Sequence, residues 1–172
     1  MVRPDKFCGA KKVMDWKDLD YSEKMISTLP VVVRRRVKFG ECDPAGVVYT
    51  PVFAEYVLSG FQWFIGAMLG GPMWQELTRA GFDTPIKALT FEFRSMLVTD
   101  QIFDMTCRVT EIRTRTFDLE VLGRSVAEPP HDLFVGKVTP IMVSRDDKKS
   151  IEIPTALRRK IEQYRSAMEN SQ

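Results

Sequence analysis

Histidine is almost missing from this chain: His131 is the single one in 172 residues. Cysteine is scarce as well, with three, Cys8, Cys42 and Cys107, far apart and at no metal-ligand spacing. Those scarcities exclude a zinc ligand set and a disulfide framework, so no metal or other cofactor is expected and a reducing, cytoplasmic setting is. An excess of one charge is also absent. The 25 Lys and Arg stand against 23 Asp and Glu for a net +2, which provides no general field for nucleic acid or a membrane surface. No stretch reaches the ~20 apolar residues of a membrane-crossing helix, and no apolar run near the start reads as a signal peptide. Repeats and low-complexity segments are lacking too. What remains is 44% hydrophobic content over a length that suits one globular domain with a core of its own.

Residues 1–30 mix charge with Met14, Trp16, Leu19, Met25 and Leu29 in no sustained period, and read as an N-terminal extension with at most one short helix. The folded domain is expected over 31–170. From Val31 the pattern alternates, with Val31, Val33, Val37 and Phe39 on one face and Arg34, Arg36 and Lys38 on the other. This predicts a half-buried strand, interrupted by Arg35, with the arginine triplet as its exposed side. Period two returns at 89–93, 103–109, 117–121 and 134–143, which predicts four more strands. Pro140 within the last predicts an edge or a bulge. "SVAEPPHD", ahead of it, reads as a hairpin loop.

Between Pro51 and Leu69 nearly every position is apolar, and the exceptions Glu55, Ser59, Gln62 and Gly66 fall on a single stripe. That is a helix buried on most sides, with the stripe left for solvent, a partner subunit or a site. Thr50 is expected to supply an N-cap hydroxyl and Pro51 the first helical position. Leu157, Ile161, Tyr164 and Met168 recur at helical spacing and predict a C-terminal amphipathic helix. The order is that of an α+β domain, one long helix wrapped by a five-stranded antiparallel sheet, plus a C-terminal helix.

The junction between the first strand and the long helix reads "FGECDPAGVVYTP". It sets a carboxylate, Asp43, beside a Pro44-Ala45-Gly46 turn at the entrance to a helix. An aspartate there ordinarily caps a helix or makes a turn. The wider stretch "VKFGECDPAGVVYTPVFAEYV", however, resembles the signature of the 4-hydroxybenzoyl-CoA thioesterase family. The likeness continues through "TPI" at 84–86, "EIRTRTF" at 111–117 and "IEIP" at 151–154, and so covers roughly 31–168. It implies a hot-dog fold, hydrolysis of an acyl-CoA, no cofactor, and a homo-oligomer, dimer or tetramer, with sites between subunits.

Thioester hydrolysis needs a group that brings water or a carboxylate to the carbonyl carbon, and another that holds the charge growing on the carbonyl oxygen. Asp43 suits the first. A helix N-terminus, with its unpaired N–H groups, suits the second. The resemblance assigns the oxyanion donor to the backbone N–H of Thr50, makes Tyr49 an aromatic wall beside the thioester, and implies phosphate-binding roles for Arg113, Arg115 and Lys149. Gly46 lets the loop fold back far enough to bring the two parts together. Glu55 is the rival carboxylate, on the helix itself. Cys42 has no histidine to activate it and reads as a small core or surface residue. Leu58 stands where the family's namesake has a carboxylate, so recognition of a para-hydroxyl is not implied. Phe53, Leu58, Phe61 and Trp63 would edge a cleft for aromatic or aliphatic acyl groups. A hydratase would want its histidine in the cleft, and His131 lies in the hairpin loop. A binding module without catalysis is the alternative of a different class.

Overall fold

The computed structural model describes residues 22–170. Strands β1 (Glu23–Thr28) and β2 (Val31–Arg36) form a hairpin in which Glu23 stands opposite Arg35 and Thr28 opposite Val31. The expected boundary at residue 30 thus falls inside a hairpin: the end of the supposed extension is the sheet's edge strand, and the sheet has six strands where five were expected. The rest of the extension, residues 1–21, lies outside the described residues. Its short helix is not tested.

Strands β4 (Ile86–Phe93), β5 (Ile102–Ile112), β6 (Phe117–Ser125) and β7 (Asp132–Pro140) complete an antiparallel sheet of order β1-β2-β5-β6-β7-β4. Pro140 sits opposite a register irregularity at Ile86 and Ala88, as expected for a proline inside a ladder. A separate two-stranded piece joins β3 (Phe82–Asp83) to β8 (Val143–Ser144), the latter the end of the expected last strand. Helix α2 (Met73–Ala80) was not foreseen, whereas α3 (Thr155–Glu169) buries Leu157, Ile161 and Tyr164 as its spacing requires.

Helix α1 (Val52–Leu69) lies in the curve of the sheet and touches β2, β4, β5, β6 and β7. It turns Phe53, Tyr56, Val57, Phe61, Phe64 and Ile65 into the core, against Phe103, Phe117 and Phe134 from the strands. By length and composition alone this helix, with mean hydropathy 1.3, would pass for a membrane span; the sheet wrapped round it accounts for that character. Glycine allows the close fit. A Cβ on Gly136 of β7 would stand 2.0 Å from Val57 Cγ2. Gly136→Ala is therefore expected to lower stability by about 1–3 kcal/mol through overpacking, read as a lower denaturant midpoint with an unchanged slope.

Two local expectations need correction. Arg35 shares the inward face with Val31, Val33 and Val37 and is 7% exposed, so the arginine triplet is not a uniform outer face; Phe39, expected inside, enters a 3-10 turn (Phe39–Glu41) and is 85% exposed. At the helix start the N-cap is Pro51, and no side chain caps the helix. The Thr50 hydroxyl does not take that part.

Candidate active site

The site grows out of the end of β2. Val37 N–H donates to Gln101 O at 2.9 Å, Val48 N–H donates to Leu97 O at 2.9 Å, and Val47 bridges to Val98, so the 42–50 loop is stitched to the segment just ahead of β5. Within the loop Asp43 Oδ1 accepts the N–H groups of Ala45 at 2.8 Å and Val47 at 3.2 Å, while Asp43 N–H donates to Val47 O at 2.8 Å. These bonds make the turn and leave Oδ2 without a partner among the described residues. Gly46 holds φ +79°. A Cβ there would touch nothing within 4 Å, so the demand for glycine is conformational.

Tyr49 and Thr50 then lead into α1. Tyr49 N–H donates to Glu41 O at 2.8 Å, and its side chain is 59% exposed. Among the described residues the Thr50 N–H donates to nothing, whereas the carbonyls of Tyr49 and Thr50 accept Val52 and Phe53. An N–H with no partner among the described residues, on the exposed Thr50, thus stands at the positive end of an 18-residue helix, at the close of a short loop that begins with Asp43.

Beneath the loop is a cluster that the residue pattern did not suggest. Arg35 lies between Glu23 and Glu41, with its guanidinium 4.5 Å above the Tyr56 ring. Tyr56 Oη donates to Glu41 Oε2 at 2.8 Å, and the Lys38 N–H donates to the same oxygen at 2.9 Å. Burial alone would raise the Glu41 carboxyl, but the Lys38 amide, Tyr56 and Arg35 together hold it below its ordinary value. One signal was available: 35 has the parity of 31, 33 and 37. An arginine at an inward position implies buried acids nearby.

The remaining candidates are dispersed. Glu55 is exposed and has no hydrogen bond or ion pair among the described residues, whereas its stripe neighbour Ser59 donates to Glu23 Oε2. Cys42 accepts from Thr99 Oγ1 at 3.2 Å and packs against the core. His131 pairs with Ser125 in the β6–β7 hairpin. An apolar cavity of about 910 Å³, lined by Met25, Trp63, Ala67, Met73 and Trp74, opens at the C-terminal half of α1, the end away from Asp43.

Arg113, Arg115 and Lys149 lie at the opposite end of the sheet from Asp43 in the same chain. Asp43 neighbours the start of β5 and Arg113 follows its last residue, about 33 Å away at a rise near 3.3 Å per residue. They do gather with one another: Arg115 donates to Ser150 Oγ at 2.9 Å, next to Lys149, whose Nζ is 3.6 Å from Asp147. Arg113 is already engaged by Asp118, at 2.9 Å, and by Glu111. Asp118, with its side chain 3% exposed, also receives Lys137 Nζ at 2.6 Å and Thr139 Oγ1 at 2.8 Å. Arg113 foremost, then Lys137 and Thr139, keep the Asp118 carboxyl well below the usual carboxylate range against the opposing effect of burial. A depressed carboxyl stabilises the fold above its unfolded value near pH 4, and that contribution is lost as pH falls through the lower folded value. The melting temperature of Asp118→Asn is thus expected to trail the parent at pH 7 and to converge on it as the pH drops below about 4.

A sheet wrapped round one long helix, with a carboxylate turn at the helix entrance, is the hot-dog architecture, and solved structures agree. A thioesterase superfamily protein from Jannaschia sp. CCS1 superposes with TM-score 0.71 at 27% identity over 78% of this chain and 92% of its own. The 4-hydroxybenzoyl-CoA thioesterase of Pseudomonas sp. strain CBS-3 does so with TM-score 0.68 at 18% identity, over 76% and 97%. In sequence that same curated protein is 27% identical over 90 residues, 51% of this chain and 62% of the relative, so the match spans less than two thirds of its length. The model of the thioesterase-like superfamily matches residues 37–161, and the chain belongs to that family.

Proposed function

We propose that the protein hydrolyses an acyl-CoA thioester to the free acid and coenzyme A. The observation that carries the reading is the turn of Asp43 set just ahead of the unpaired Thr50 N–H at the start of α1. With the substrate carbonyl oxygen on the Thr50 N–H, Asp43 Oδ2 is left to act at the carbonyl carbon. It either adds directly, giving a mixed anhydride that water then cleaves, or removes a proton from the water that adds. In both routes the C–S bond breaks, the sulfur leaves as thiolate, and the proton released from water ends on it or in solvent. The oxyanion formed on the way is stabilised by the N–H and the helix dipole. Tyr49, exposed beside this point, walls the thioester, and Gly46 keeps the turn closed.

The phosphate-binding roles of Arg113, Arg115 and Lys149 require a second copy, because one chain holds them a sheet's length from its own Asp43. Strand β4 offers the contact. It is an edge strand whose ladder partner is β7 alone, and Ile86 and Phe93 on it are 36% and 48% exposed. A two-fold pairing through β4 runs the second copy antiparallel, which carries its far end toward the first copy's Asp43. The site then belongs to a homo-oligomer.

The test is a panel of aromatic and aliphatic acyl-CoA esters followed by thiol release. Turnover of at least one ester, undiminished after exhaustive chelation, is expected; no turnover across the panel, with coenzyme A still bound, would make the protein a binding module. Arg115 and Lys149 are less neutralised than Arg113, so Arg115→Ala is expected to raise KM for acyl-CoA more than Arg113→Ala does, with kcat retained. Raising salt should shrink that difference, since exposed charges are screened over about 10 Å at 0.1 M. Glu55→Gln should leave kcat nearly unchanged. An inactive Glu55→Gln with silent arginine variants would move the catalytic carboxylate onto the helix.

A further inference from the structure

The Asp43 loop has to be held at a fixed distance from the helix. Glu41 is the residue through which that distance passes. Its side chain is bound by Arg35 of β2 and by Tyr56 of α1, its carboxylate also accepts the Lys38 N–H, and its backbone carbonyl accepts the Tyr49 N–H. Asp43 follows Glu41 by two residues, and Thr50 follows Tyr49 directly. One anchored residue therefore governs both the carboxylate and the N–H donor. Arg35, in turn, is held from the other side by Glu23 of β1, whose Oε2 also accepts Ser59 and, at 3.1 Å, Trp63 Nε1, both on α1.

We propose that Glu41, clamped by Arg35 and Tyr56, is the positioning residue that sets Asp43 against the Thr50 N–H, and that β1 belongs to the active-site scaffold through Glu23. This rests on the assignment of Asp43 and Thr50 above. Glu41, Arg35, Tyr56 and Glu23 bond to one another and to the loop and helix, so their effect is on geometry. Misplacing a reacting group by about an ångström costs on the order of a hundredfold in rate without changing how the rest of the substrate binds. A cluster that merely supported the fold would lower stability and leave the rate of the folded fraction alone.

Tyr56→Phe separates the two roles, because it deletes one O–H and keeps the ring that Arg35 stacks on. Glu41→Gln, which keeps the size of the side chain, is the companion variant. Both are to be measured for kcat, KM and melting temperature, with Asp43→Asn alongside. The expected result is a roughly ten- to hundredfold loss of kcat in Tyr56→Phe at unchanged KM, with melting close to the parent, and an equal or larger loss in folded Glu41→Gln. If Asp43→Asn is inactive while Tyr56→Phe keeps kcat within about twofold of the parent, the positioning role is overturned and the catalytic assignment survives. A rise in KM at constant kcat would overturn it equally. Should Asp43→Asn remain active, the catalytic assignment falls and takes this inference with it.

Discussion

Asp43→Ala and Asp43→Asn are expected to lose about a hundredfold or more of kcat while each protein stays folded and still binds coenzyme A. The expectation separates the two halves of the carboxylate. Oδ1 makes the turn by accepting Ala45 and Val47, and the asparagine carbonyl oxygen can accept the same two N–H groups. Asparagine thus preserves the loop and removes the charge and basicity, so its loss of rate reports chemistry, while alanine removes both. Thiol release at saturating acyl-CoA, with melting curves for each variant, makes the comparison. Rates within a few-fold of the parent would take Asp43 out of the mechanism. A single turnover in labelled water then divides the two routes, since only the anhydride route leaves label in the aspartate.

Arg35→Ala carries the largest expected effect on stability. Side-chain exposures of 9% for Arg35, 15% for Glu23 and 11% for Glu41 put three charges in a nearly dry place, where one cation holds two anions. Removing one partner of a buried pair costs about 3–5 kcal/mol, because the carboxylates remain and their partner does not. Here two are left, facing each other. The pH dependence gives a second reading of the same cause. In the parent, Glu41 lies below its ordinary value, so its contribution is present above that value and is lost as pH falls. In the variant the Glu41 carboxyl keeps the burial that raises it and loses the arginine that helped to lower it, so protonation relieves part of the cost. The stability gap measured by denaturant unfolding should accordingly narrow between pH 7 and pH 5. A gap below 1 kcal/mol at pH 7, or one constant with pH, would mean that solvent reaches the cluster.

Most of the frame was legible in the chain. The strands from β4 to β7 show period two over much of their length, α1 is apolar on most of its circumference, and the turn at 43–46 has the residues a tight loop before a helix requires. Strand β1 was not, because its inward positions are Glu23, Met25 and Ser27 and just one of them is apolar; its place in the sheet comes from ion pairing and from the hairpin with β2. Arg35 was misread for the same reason, as periodicity sorts apolar from polar and cannot see a charge neutralised by partners distant in sequence. The basic residues near 113 and 149 came from the resemblance, and spacing along the chain carries no sense of which end of a sheet a hairpin occupies. An eleven-residue strand, β5, separates Arg113 from the end of the sheet where Asp43 lies.

The two edges of the sheet differ, and the difference limits how copies of this chain can accumulate. β1 is short, irregular between Met25 and Ser27, and carries Lys24, features that discourage another strand from docking. β4 has eight residues, mostly exposed, and is the inviting side. A sheet with one receptive edge grows by a single step: two copies meeting through β4 use up both receptive edges and leave only the guarded ones outward. For copies paired as proposed through β4, growth by strand addition among the described strands would terminate at a pair. Loss of the irregularity in β1 would give each copy a second receptive edge, and with it a route to open-ended fibres.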